Sequence, residues 1–130
     1  MSEQVLLIDD DVRLVSALQI RLKDAGYKVH TAHNGDIGVS VAALFQPDII
    51  VLDIRMPEMD GFEVCRLMKA VPELVDIPII VLSANEETST MQAILEAGGN
   101  VYLRKPYHPP QLMALLRETL DRRGLKKRSA

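Results

Sequence analysis

Three consecutive acids, Asp9, Asp10 and Asp11, follow the first apolar run of this sequence, and another, Asp53, follows the third. Ser83 closes the fourth run, and Lys105 stands just beyond the fifth. If those runs are parallel strands, these side chains arrive at one edge of one sheet. Ligands of open parallel sheets bind there, beyond the carboxyl ends of the strands. Carboxylates gathered in a small space repel one another and need a cation or protons to compensate. Oxygen ligands without His or Cys fit a hard divalent ion. Magnesium takes one or two carboxylates, keeps several waters and completes its shell with a phosphate oxygen. A simpler role competes for the triplet, because acids at a helix N-terminus cap it and favour its dipole. That role suits Asp11. Asp9 and Asp10, at the strand end, are the ligand candidates, with Asp10 the better one.

The elements that must position these residues are legible in the apolar pattern. Val5–Ile8, Lys28–Thr31, Asp48–Leu52, Pro78–Leu82 and Asn100–Leu103 are short, largely β-branched runs bounded by Gly, Pro, Asn or Asp. Three of them are continuously apolar, as strands covered on both faces should be. Helix-length segments alternate with them. Leu14, Val15, Leu18 and Leu22 form one stripe, with Gly26 at the C-terminal cap position. Ile37, Val41 and Leu44 mark a second helix that ends before Pro47. Phe62, Cys65 and Met68 mark a third, opened by Asp60-Gly61, and Met91, Ile94 and Leu95 a fourth, closed by Gly98-Gly99. Leu112, Leu115, Leu116 and Leu120 mark the last, with Pro109-Pro110 in its first turn. Strands alternating with helices predict an α/β fold: a doubly wound, five-stranded parallel sheet with five helices on its two faces.

Composition narrows the function. A chain of 130 residues, 48% hydrophobic and 25% charged, is long enough to bury a core without staples. Its one cysteine, Cys65, excludes an internal disulfide and a thiolate metal site. No secretory signal or membrane-length apolar stretch is visible, so the expectation is a cytoplasmic protein with no membrane partner. All 18 acidic residues precede Arg122, whereas five of the 15 basic ones (Arg122, Arg123, Lys126, Lys127, Arg128) follow Asp121. An acidic body does not attract nucleic acid. The basic end, without interleaved aromatics, reads as a solvated tail or the start of a linker. The expected organisation is therefore one domain over 1–121 and a basic C-terminal tail over 122–130.

Taken in order, Leu6-Leu7-Ile8-Asp9-Asp10, Asp53-Ile54-Arg55-Met56-Pro57-Glu58-Met59-Asp60-Gly61, Leu82-Ser83-Ala84, Ala97-Gly98 and Tyr102-Leu103-Arg104-Lys105-Pro106 resemble the receiver domain of two-component response regulators. The resemblance runs from about Gln4 to about Leu120. It implies a flavodoxin-like sheet of strand order 2-1-3-4-5. It also implies that Asp53 accepts a phosphoryl group from a phosphohistidine on a sensor histidine kinase or a histidine phosphotransfer protein. Magnesium would be held by Asp10, Asp53 and the backbone carbonyl of Arg55, with Asp9 reached through water. Lys105 would add a second positive charge, as lysine commonly does toward phosphate. Phosphoryl transfer spreads charge over three equatorial oxygens, so an ion and a lysine around them suffice. Ser83 would hydrogen-bond the phosphoryl group; alone it would read as a strand-end hydroxyl capping a turn. Tyr102 stands where the family carries a switch aromatic whose ring moves inward with Ser83. That movement would couple the site to the surface of the fourth helix, fifth strand and fifth helix. A half-buried strand tyrosine with its hydroxyl in water is the plainer alternative. A phosphorylation-dependent homodimer through that surface is also within the family's range. Lys105-Pro106 invites a cis peptide, which would aim the ammonium into the pocket.

The sequence departs from the family in places. Arg55 and Asn85 occupy positions that tune how readily water attacks the acyl phosphate. Gly99-Asn100 replaces alanine-aspartate, and Tyr107 stands where phenylalanine is common; neither is expected to touch the chemistry. Met56-Pro57 and Gly61 read as turn residues shaping the loop after Asp53, and Glu86-Glu87 as favourable charge at the start of the fourth helix. His30, His33 and His108 share no metal-ligand spacing, and Met56, Met59, Met68, Met91 and Met113 read as packing. The expected function is thus a signalling switch that phosphorylates and dephosphorylates itself, not a metabolic enzyme. An aspartyl-phosphate phosphatase would need a second acid where Arg55 stands. A nucleotide binder would need a Gly-rich loop where the three aspartates stand, and a degenerate receiver would lack Asp53, Lys105 or the acid pair. The downstream output is unassigned: the chain reads as a stand-alone regulator or as a receiver from a longer one.

Overall fold

The structure is a computed structural model that describes residues 2–55, 60–84 and 88–129, without the side chains of 88–90 and 125–129. The readings of Met56-Pro57, Met59, Asn85 and Glu86-Glu87 fall outside the described residues. Strands and helices alternate as β1 (Gln4–Ile8), α1 (Val12–Asp24), β2 (Lys28–Ala32), α2 (Gly35–Phe45), β3 (Ile49–Asp53), α3 (Gly61–Ala70), β4 (Ile79–Ser83), α4 (Thr88–Ala97), β5 (Val101–Arg104) and α5 (Pro109–Ser129). The five strands form one parallel sheet in the order β2-β1-β3-β4-β5, as expected.

Side chains alternate across a strand, so each continuous apolar run supplies two cores. Leu6, Ile8, Ile50, Leu52, Ile79 and Val81 face one way and pack with Ala42, Val64, Cys65, Met68 and Ile94 from α2, α3 and α4. Val5, Leu7, Ile49, Val51, Ile80 and Leu82 face the other and pack with Val15, Leu18 and Leu22 of α1 and Leu112, Leu116 and Leu120 of α5. Each fully buried side chain of this size contributes roughly 1.5–3 kcal/mol. The paired cores therefore fix the sheet and, with it, where its carboxyl edge lies.

Local signals set the helix ends. The Asp11, Asn34 and Asp60 side chains accept N–H bonds from the first turns of α1, α2 and α3. Gly26 follows α1 and Gly98 follows α4 with φ of +97° and +112°, backbone that favours glycine. Two helices bury only part of the stripe their large residues mark. On α2, Ile37 and Leu44 are exposed, and Gly35, Gly38 and Ala42 meet the sheet. A Cβ at Gly38 would lie 2.6 Å from Ile8 Cδ1, so only the small face lets the helix approach this closely. On α4, Ile94 is buried whereas Met91 and Leu95 are exposed.

α5 continues through the basic end to Ser129. Arg122 pairs with Glu118 one turn earlier, and Arg123 donates to the Asp48 carbonyl at the start of β3. No helix among the described residues is long and apolar enough to cross a membrane.

Candidate functional site

Four strand ends converge at the carboxyl edge. Asp9 leaves β1 with its N–H still donating to the Ala32 carbonyl (3.1 Å), which holds it in line with the sheet. Only 5% of it is exposed. Its Oδ1 accepts the Asp11 N–H at 2.9 Å, and its Oδ2 has no hydrogen-bond partner among the described residues. Burial, more than any neighbour, pushes its pKa from 3.8 up to about 6; Asp53 adds to the rise, while the Asp11 N–H and Lys105 oppose it. Asp10 is exposed. Asp11 takes the capping role assigned to it, accepting from the Arg13 and Leu14 N–H groups.

Asp53 ends β3 and is 6% exposed. Its Oδ1 accepts the Arg55 N–H (3.2 Å), and its Oδ2 lies 3.2 Å from the Lys105 ammonium. The chain after it is set by close packing, because the Gly61 N–H donates to the Ile54 carbonyl (2.9 Å). A Cβ at Gly61 would lie 2.6 Å from Ile54 Cα, so glycine lets α3 start directly beside the acid. Lys105 follows β5 through a cis bond to Pro106. Its N–H donates to the Ser83 carbonyl (2.9 Å), the oxygen that also accepts the Tyr102 hydroxyl (3.4 Å). Ser83 is buried, and Tyr102 is half-buried with its ring against the α2–α4 core.

The result is one edge where Asp9, Asp10 and Asp53 each bring a carboxylate oxygen within 4.8 Å of the other two. Among the described residues, Lys105 is the cation paired with this group, through Asp53. An oxygen-only donor set with one buried orphan oxygen is chemically suited to a hard divalent ion. Residues 5–117 match the response regulator receiver domain family. The chain belongs to this family.

Receivers serve phosphorylation-based signalling in two-component systems. Among relatives, the response regulator MprA of Mycobacterium ulcerans (strain Agy99) is 39% identical over 126 residues, 97% of this chain but 53% of that protein. This receiver thus spans about half the length of the curated relatives it matches. The solved structure of the chemotaxis protein CheY4 of Vibrio cholerae is 29% identical with a TM-score of 0.87, covering 91% of this chain and 98% of that one. The receiver domain of the sensor histidine kinase PA1611 of Pseudomonas aeruginosa PAO1 is also 29% identical. It superimposes with a TM-score of 0.84 over 93% of this chain and 99% of that one, and it was solved with a magnesium ion coordinated in its active-site cleft.

The structure gathers Asp9, Asp10, Asp53, Ser83, Tyr102 and Lys105 at one edge, with Arg55 entering through its backbone. It also places a residue that the sequence reading set aside. The Tyr107 hydroxyl is buried without a hydrogen-bond partner among the described residues, and burial, then Asp9 and Asp53, push its pKa up to about 12. Its only signal in the sequence is tyrosine in place of phenylalanine. His33 Nδ1, which donates to the Asp9 carbonyl (3.2 Å), gave no signal at all. His30 stacks on Phe45 (4.1 Å), and Cys65 is buried with its thiol pushed up to about 11, so both are packing residues.

Proposed function

We propose that this receiver is a switch thrown by phosphorylation of Asp53. The donor is a phosphohistidine of a sensor histidine kinase or a histidine phosphotransfer protein. An Asp53 carboxylate oxygen attacks phosphorus, and the new P–O bond forms as the P–N bond breaks, its electron pair leaving on the imidazole. Water later breaks the same P–O bond. Burial and the 3.2 Å contact with Lys105 hold the nucleophile in one orientation, which is the main contribution a protein makes to a weak nucleophile. Lys105 would follow the charge from Asp53 to the phosphoryl oxygens. A magnesium ion held by Asp10, Asp53 and the Arg55 carbonyl, with Asp9 reached through water, would supply the remaining neutralisation.

The Ser83 hydroxyl would donate to the bound phosphoryl group. Its carbonyl already joins Tyr102 and Lys105, so a shift of Ser83 would be felt along β5 and carried to the surface of α4, β5 and α5. Phosphorylation adds roughly −1.5 to −2 charges and biases a two-state element. We place that element at α4 and β5, and a phosphorylation-dependent homodimer would use the same face. In this reading the receiver proper ends near Asp121 and 122–130 extends it. It works in the cytoplasm as a signalling domain without metabolic turnover and makes no nucleic-acid contact of its own.

The observation that supports this most is Asp53 itself: buried, paired with Lys105, and within 4.8 Å of two further acids. The test is intact-mass measurement after incubation with a small acyl phosphate and magnesium. The unaltered chain gains one phosphoryl group and Asp53→Asn gains none. Undiminished uptake by the variant would defeat the assignment.

A further inference from the structure

The end of β2 holds the backbone of Asp9 twice. The Asp9 N–H donates to the Ala32 carbonyl (3.1 Å), and the Asp9 carbonyl accepts from His33 Nδ1 (3.2 Å). The first bond continues the parallel ladder of β1 and β2, whose last pair is Ile8 with Ala32. In the second, His33 Nδ1 stands where the Asn34 N–H would make the next ladder bond, had β2 run on. The chain is turning away by then, because Asn34 is the N-cap of α2 and its side chain accepts the Ile37 N–H (2.8 Å). The His33 side chain thus does for Asp9 what one more residue of strand would do. A carbonyl only accepts, so Nδ1 carries the proton of the pair. Core packing does not account for the ring, because His33 is exposed.

The carbonyl that His33 holds belongs to the peptide leading to Asp10, the exposed acid of the group. The direction of that peptide decides where the carboxylates on either side of it stand relative to Asp53. We propose that His33 is a positioning residue for this acid pair: its Nδ1–H locks the Asp9–Asp10 peptide and so keeps both carboxylates turned toward Asp53. The inference rests on the reading of the acid group as a cation site. Outer contacts that orient a metal-binding group typically change affinity 10–100-fold. His33 acts on a backbone oxygen through one neutral hydrogen bond, which places its effect at the low end, about tenfold.

The experiment uses the full, unphosphorylated chain at pH 8, where an ordinary histidine is neutral, and magnesium alone. Calorimetric titration should show His33→Ala binding magnesium about tenfold more weakly than the unaltered chain. His33→Asn, whose amide N–H can take the place of Nδ1–H, should bind within twofold of it. In metal-free protein, nitrogen NMR should find the His33 ring protonated at Nδ1. The Asp10 amide resonance should move in His33→Ala and return in His33→Asn, a rescue that a merely structural role would not give. Binding by His33→Ala within twofold of the unaltered chain overturns the proposal. So does a His33→Asn variant as weak as the alanine, or a neutral ring protonated at Nε2. An unaltered chain that takes up no magnesium defeats the cation-site reading itself, and this inference with it.

Discussion

The two edges of the sheet treat charge in opposite ways. At the amino edge Asp48, Glu3 and Asp121 are each paired. Asp48 Oδ2 accepts the Gln4 N–H (2.7 Å), and its carboxylate lies 3.8 Å from Arg123. Arg117 forks onto Glu3 (2.6 and 3.0 Å) and also pairs with Asp121 (2.8 Å). At the carboxyl edge three carboxylates crowd within 4.8 Å of one another around one lysine contact, and a buried oxygen of Asp9 is left over. The chain can therefore match charges where only stability is at stake. Where it leaves them unmatched, the imbalance suits the cation and the incoming phosphoryl group of the proposed switch.

The contrast can be broken from either side. The largest effect belongs to Lys105→Ala, which removes the cation contacting Asp53; phosphoryl uptake measured by intact mass should fall about 10²–10³-fold, the usual loss for one charge-stabilising donor. A fall under threefold would mean the edge does not rely on that ammonium. Next is Asp9→Asn in metal-free buffer. Asp9 holds its proton more tightly folded than unfolded, so ionisation opposes folding: its contribution is full below pH 3.8 and is lost as pH rises through about 6. The variant should therefore melt with the unaltered chain near pH 4 and be more stable by about 2 kcal/mol at pH 7. Lower stability of the variant at pH 7 would put the strain elsewhere. The smallest effect is at the matched edge. Arg117→Ala, an exposed pair, should cost under about 1 kcal/mol in denaturant melts and leave phosphoryl uptake within twofold.

How far the sequence was legible follows from range. Strands such as Ile49–Asp53 and Ile79–Ser83 declare themselves by unbroken apolar runs, and Asp9, Asp53, Ser83 and Lys105 are visible as what comes next. Asp11 was readable as a cap because its partners are two and three residues away. Features set by distant partners were not. The run from Arg122 onward looks like a solvated tail by composition, but Arg123 is held by Asp48, 75 residues earlier. On α2 the large residues Ile37 and Leu44 suggest a core face, whereas the constraint is the space Ile8 leaves at Gly38.

The most direct test of an uncompensated carboxyl edge is the thermal stability of the unaltered, unphosphorylated chain with magnesium and with a chelator, at pH 7 and pH 5. A ligand that binds only the folded form raises stability in step with its concentration over its dissociation constant. Magnesium should raise the melting temperature at pH 7, and the rise should shrink at pH 5, where Asp9 is largely protonated. No rise at pH 7, or an equal rise at both values, would contradict the account.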